Sequence, residues 1–267
     1  MNPGILFHLG LVAYAPAAAL YLGWLVRASE RRARLATGLL FAGFVFHGGA
    51  VAIRAVELWH DGAFRLSEGL SFLAFLVVGA YLLLSRWIQA PAVGAFVGPL
   101  VVATLLPAHA IPGAVVQGSP LGGVLLPVHI AVAIGGLALF ALGFVVALMY
   151  LLLEREVKAK RAGGAMFWRL PSLELLDRLN YQLMLVGFLL LSVTIVTGAF
   201  FSASETGDFF ALRSKQGFAL VAWALTALVV LLRQTVGWRG RRVAWSTMVG
   251  FVLLSFAFAG VFAGGQA

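Results

Sequence analysis

Eight long apolar runs alternate with short polar segments along the whole chain. They cover residues 5–26, 35–51, 69–84, 93–110, 122–153, 181–201, 216–232 and 243–263. A helix needs about 20 residues to cross a hydrocarbon core of about 30 Å. The second and third runs fall short, and extending them through Arg54 and back to Leu66 corrects that. The fifth is too long. Pro127 is tolerated in a first helical turn, which leaves a tilted helix over 128–153. Lipid offers a backbone no hydrogen-bond partners, so each run must pair its own peptide groups as a helix. The pattern predicts an all-α fold: a polytopic membrane bundle of eight transmembrane helices with short loops, forming a single integral membrane domain over 1–267.

Composition agrees. Hydrophobic residues make up 62% of the chain and charged ones 11%, with a mean hydropathy of +1.00. A water-soluble domain carries about a quarter charged residues. The absence of cysteine excludes disulfides, thiol redox centres and cysteine-ligated metal. No basic stretch precedes the first run and no obvious cleavage site follows it, so it reads as a retained helix.

The net charge of +9 invites a nucleic-acid reading, but its distribution points to topology. Segments 27–34, 85–92, 154–180 and 233–242 hold 15 of the 19 Arg and Lys residues. Excess Lys and Arg marks the cytoplasmic face. The expected location is a bacterial inner (cytoplasmic) membrane, with both termini outside the cytoplasm and no nucleic-acid partner. The basic loop at 237–242, GWRGRR, suits an anchor beside anionic lipid. In 154–180, EREVKAKRAGG reads as the polar end of the fifth helix followed by a turn. The following FWRLPSLELLDRLNY predicts an interfacial amphipathic helix at 168–179, started by Pro171 and capped by Ser172 or a neighbour. Arg169 is placed to pair with Glu174 or Asp177 there. Such a helix anchors to the membrane surface or docks a partner from a membrane complex.

All five histidines, His8, His47, His60, His109 and His129, fall toward the end away from the basic loops. Imidazole ligates haem iron, zinc and copper. No HExxH-type spacing suggests hydrolytic zinc, so haem is the better candidate. Phe44, Phe46, Trp59, Phe64 and Phe72 flank the second loop, and Phe200, Phe201, Phe209 and Phe210 flank the sixth. These rings suit a porphyrin wall, and equally an aromatic belt at the membrane surface. Arg54, Arg65, Arg213 and Lys215 are candidates to meet haem propionates. His129 and His47 lead as metal-ligating residues, although a histidine near a helix end also serves as a simple hydrogen-bonding group.

Other polar groups have local explanations. Arg54 and Glu57 share a helical face and can pair. Glu68, at the start of the third span, needs a partner or a proton. Thr194, Thr197 and Thr226 can bond to their own helix carbonyls. Gly136, Phe140 and Gly143, with Ala131, Gly135 and Leu139 beside them, form two packing faces on the fifth helix.

Three stretches carry a family resemblance: PVHIAVAIGGLALFALGFVVALMYLLLE, LPSLELLDRLNYQLMLVGFLLLSVTIVTGAF and VGWRGRRVAWSTMVGFVLLSFAFAGV. With Pro171–Ser172–Leu173–Glu174, Leu176–Asp177 and Gly187–Phe188 in place, the chain resembles the CcsA/HemX-like cytochrome c assembly family, nearest its shorter YpjD-like members. The resemblance implies a membrane bundle connected with haem handling or cytochrome c maturation. His129 matches the histidine that precedes the family's tryptophan-rich segment, and His47 is similar to one in an early helix of shorter members. Arg213–Ser214–Lys215–Gln216 stands where that segment has a DPKE-like run, and Trp223 keeps its closing tryptophan. Leu231 stands where the family has a histidine.

These departures suit an accessory protein better than a synthetase. The leading expectation is therefore a non-catalytic protein that binds or handles haem, with His129, His47, Arg54 and Lys215 as cofactor-binding candidates. The rival expectations are a structural or regulatory subunit of a membrane complex without haem, and a small-solute transporter. No internal repeat supports the transporter.

Overall fold

A computed structural model of the protein describes residues 2–61, 63–86, 91–110, 115–117, 125–159, 169–206 and 214–263. Eight helices account for nearly all of them: α1 (Pro3–Val26), α2 (Glu30–Asp61), α3 (Leu66–Ser85), α4 (Pro91–Ala110), α5 (Leu125–Lys158), α6 (Leu173–Thr206), α7 (Ser214–Thr235) and α8 (Arg241–Ala263). Each is long and apolar enough to cross a membrane. The eight-helix bundle read from the apolar runs is the fold observed. One addition is a two-stranded antiparallel ribbon of β1 (Ala63–Arg65) and β2 (Val115–Gln117), pairing Phe64 with Val116.

The helix ends follow local chemistry. Asn2 caps α1 by accepting the Gly4 amide at 2.8 Å. Ser172 caps α6, its Oγ accepting from the Leu175 amide at 3.3 Å. Pro127 does lie in the first turn of α5, which begins at Leu125 and runs on through EREVK. Glu68 finds its partner at the start of α3, where its carboxylate accepts the Arg65 amide at 2.9 Å. Helix α7 ends at a left-handed Gly237 (φ 74°), and the Trp238 amide reaches back to the Leu232 carbonyl at 3.2 Å.

In the bundle, α1 packs on α2 and α4, α3 on α4 and α5, α5 on α6 and α8, and α7 on α8. Helix α5 is the central post. Of its most apolar window 61% is buried, against 17% for α6 and for α7, which therefore form an outer wall. The predicted packing faces of α5 serve that position. Phe140 is fully buried, and Gly136 and Gly143 face α6 and α8. Some crossings are too close for any side chain. A Cβ on Gly98 would stand 2.9 Å from the Ala18 backbone, and one on Gly187 would stand 2.9 Å from the Phe140 ring.

The segment before α6 departs from expectation. Among the described residues 169–179, no helix separate from α6 is present. Trp168 lies outside the described residues, and α6 runs unbroken from Leu173 to Thr206. Leu176 and Leu179 are buried at 0% and 4% exposure, so the leucine stripe faces protein rather than a membrane surface. No proline or glycine interrupts the chain between Leu173 and Val186, so the helix has no reason to stop. Arg169 does not pair with Glu174 or Asp177. Its guanidinium donates to the carbonyls of Trp24 and Leu25 at the end of α1. Asp177 instead takes Arg233 of α7 in a two-point ion pair, at 2.8 and 3.2 Å, and the Gly240 amide at 2.6 Å. These contacts gather the basic segments at one end of the bundle. The ribbon and the Phe64–Phe262 ring contact mark the other.

Candidate functional site

His129 sits near the start of α5, at the end of the bundle away from the basic loops, against the last turns of α6. Its Nδ1 lies 2.6 Å from Thr197 Oγ1. That hydroxyl also reaches the carbonyls of Val193 at 2.8 Å and Thr194 at 3.1 Å. A hydroxyl has one proton, and here it goes to its own helix, so Oγ1 accepts from the imidazole. The Phe201 ring meets the imidazole edge-on at 5.4 Å. Gly198 lies alongside, where even an added Cβ would be 3.5 Å from Cε1.

His47 is held differently. It is 1% exposed, inside the packing of α1, α2 and α3. Nε2 is 2.8 Å from Ser71 Oγ and Nδ1 is 3.4 Å from the Tyr14 hydroxyl. Phe7, Tyr14 and Phe75 surround it edge-on at 5.8, 5.7 and 5.9 Å. Both ring nitrogens have protein partners, and any ligand reaching Nε2 must displace Ser71. Among the described contacts the two leading histidines share no neighbour: His47 meets α1 and α3, and His129 meets α6.

Arg54 forms the anticipated pair with Glu57 at 2.6 Å, and both side chains remain about half exposed, at 52% and 43%. Lys215 falls in the first turn of α7, but its side chain lies outside the described residues, as do those of His60 and His109 and all of Arg213. Among the remaining histidines, His8 Nδ1 contacts the Gly4 carbonyl at 2.5 Å. Among the described residues, no three His, Asp or Glu side chains gather as a metal site would require. Trp223 ties α7 to α6, donating to Ser192 Oγ at 2.9 Å and stacking on Phe188.

Sequence reasoning missed Thr197, Ser71 and Tyr14. Thr197 does bond to its own helix as expected, but it also orients His129. An offset of 68 residues between them leaves no periodic signal, and only the shared depth of the two antiparallel helices pairs them.

The fold and this held imidazole define a polytopic helix-bundle membrane protein with one histidine bonded through Nδ1 to a threonine of the neighbouring helix. Residues 63–264 match the family described as cytochrome C assembly protein, and the chain belongs to that family. It is 29% identical over 231 residues to the cytochrome c biogenesis protein CcsA of Parasynechococcus marenigrum (strain WH8102), covering 76% of each chain. With CcsA of Synechococcus sp. (strain CC9311) it shares 28% identity in an alignment that covers 95% of this chain and 93% of the relative. With CcsA of Mesostigma viride it shares 27% over 250 residues, or 84% and 81% of the two chains. Among solved structures it is similar to the cytochrome c heme lyase CcmF, with a TM-score of 0.63 at 17% identity. That match covers 99% of this chain but 47% of the other, and at such identity it speaks for the fold alone.

Proposed function

We propose that this protein is a non-catalytic, haem-handling component of cytochrome c assembly, with His129 supplying an axial ligand through Nε2. The observation that carries this reading is the 2.6 Å contact of His129 Nδ1 with Thr197 Oγ1, a hydroxyl that also bonds to its own helix, which we read as Nδ1–H donating to Oγ1. A ligating histidine usually donates its other ring N–H to a fixed acceptor, which sets the tautomer and the ring plane. The site residues fit haem in this respect, and Phe201 beside the imidazole supplies an apolar surface. Bound haem would contribute an iron able to accept the Nε2 lone pair, and two propionate carboxylates. His129 holds and orients, and Arg54 and Lys215, toward the same end of the bundle, carry charge for the propionates. The distribution of Arg and Lys supports placing that end, with both termini, outside the cytoplasm.

The test is an absorption spectrum of detergent-purified protein titrated with haemin. Wild type is expected to develop a Soret band that His129→Ala weakens strongly. An unchanged titration in His129→Ala, or no Soret band in wild type, overturns the proposal. A second reading, a haem-free structural subunit, draws on the enclosed His47 and the internally paired Arg54. It predicts equal and negligible haem uptake by wild type and variant.

A further inference from the structure

Between α2 and α3, at the basic end of the bundle, lies a cavity of about 740 Å³. It stands at the opposite end from His129 and is independent of the haem proposal. Its apolar wall includes Phe44, with Phe41 and Leu83 at the rim. Phe41 and Leu83 are 53% and 59% exposed, so the cavity opens sideways, toward where lipid chains would lie. Arg34 and Arg86 also line it, and no Asp or Glu is among its described lining residues. Glu30 approaches Arg34 only to 3.9 Å, with both side chains in solvent (93% and 80% exposed), and such a pair is worth little.

Thr37 donates to the Ala33 carbonyl at 2.9 Å, and Ser85 donates to the Leu82 carbonyl at 2.8 Å. Tyr81 donates to the Tyr21 hydroxyl at 3.1 Å, and Tyr21 in turn donates to Thr37 at 2.8 Å. Each proton is committed inside the protein, so what the lining hydroxyls of Thr37 and Ser85 can still offer a guest is acceptor capacity, with one lone pair of Thr37 already taken by Tyr21. Among the described lining side chains, the donors left to a guest are the two guanidinium groups. A matching guest has an anionic centre, hydroxyl donors beside it and an apolar tail.

We propose that this cavity holds one anionic phospholipid with a hydroxyl-bearing headgroup, of the phosphatidylglycerol type. Its phosphate lies between Arg34 and Arg86. The glycerol hydroxyls donate to Thr37 and Ser85, and an acyl chain follows Phe44, Phe41 and Leu83. A choline headgroup would instead bring a cation toward two arginines and offer no hydroxyl.

Native mass spectrometry of the full chain in mixed micelles of phosphatidylglycerol and phosphatidylcholine tests this. Wild type is expected to retain phosphatidylglycerol selectively, and Arg34→Gln/Arg86→Gln to lose that preference by about tenfold per arginine, or about 1.4 kcal/mol each. Arg239→Gln/Arg241→Gln, at the same end but outside the cavity, should keep it. Arg34→Lys/Arg86→Lys should keep most of it and serves as a folded control. Thr37→Val/Ser85→Ala should weaken phosphatidylglycerol retention while sparing phosphatidate, which lacks the glycerol hydroxyls. Equal retention of both lipids by wild type overturns the proposal. So does equal loss in the two glutamine variants, which would mean a diffuse attraction to the basic face.

Discussion

Asp177→Ala removes one carboxylate from the point where α6, α7 and α8 meet. The carboxylate accepts three hydrogen bonds, two from Arg233 and one from the Gly240 amide. The ion pair is mostly shielded, with side chains 14% and 15% exposed. Removing one partner of a buried pair costs about 3–5 kcal/mol, because the other charge is left buried. Arg233 keeps some support, since its guanidinium lies 4.2 Å from the Tyr181 ring centroid. The residual exposure and this ring contact place the expected loss at about 3 kcal/mol, the lower end of that range. At about 2–4 °C per kcal/mol for a protein approaching this size, the melting temperature should fall by about 6–12 °C. The seven tryptophans give an intrinsic fluorescence signal for thermal unfolding in detergent. Asp177→Leu/Arg233→Leu should recover much of the loss, because it leaves no unpaired charge. A melting temperature for Asp177→Ala equal to that of wild type, or a double variant worse than both single ones, would refute the reasoning.

Thr197→Val removes the acceptor that orients His129, and haem affinity should fall about 10–100-fold with stability nearly unchanged, read by haemin titration beside a melting curve. Ser71→Ala leaves the buried His47 Nε2 without its partner, and unfolding in a denaturing detergent series should show a loss of about 1–3 kcal/mol. Gly98→Val forces α4 away from α1, and a loss of at least about 1–3 kcal/mol should appear in the same assay. Val193→Arg, on the exposed face of α6, should impair membrane insertion by about 2.5–3.5 kcal/mol if it sits near the bilayer centre, measured by glycosylation mapping.

What could be read from the sequence was whatever has a short period or a compositional origin. Apolar runs place the eight helices because burial in lipid is decided residue by residue. Pro127 and Ser172 mark starts because proline geometry and capping act within one turn. Arg54–Glu57 is visible at a spacing of three. Partnerships across helices were not legible. Asp177 and Arg233 are 56 positions apart, and the sequence places a nearer cation, Arg169, as a more obvious partner. The ribbon was missed because three residues are too few to show an alternating pattern. At the candidate site, the imidazole was legible as a ligand type, but its orienting partner was a threonine on another helix.

Arg169 lies 145 residues beyond Trp24, whose carbonyl is one of the two acceptors it satisfies at the end of α1. During synthesis, that terminus must therefore wait for more than half of the protein to leave the ribosome before its final partner arrives. The first helix can enter the membrane early but is finished late. A ribosome stalled before residue 169 would display an incompletely dressed helix end to the quality-control machinery, which could sort such chains without inspecting the rest of the fold.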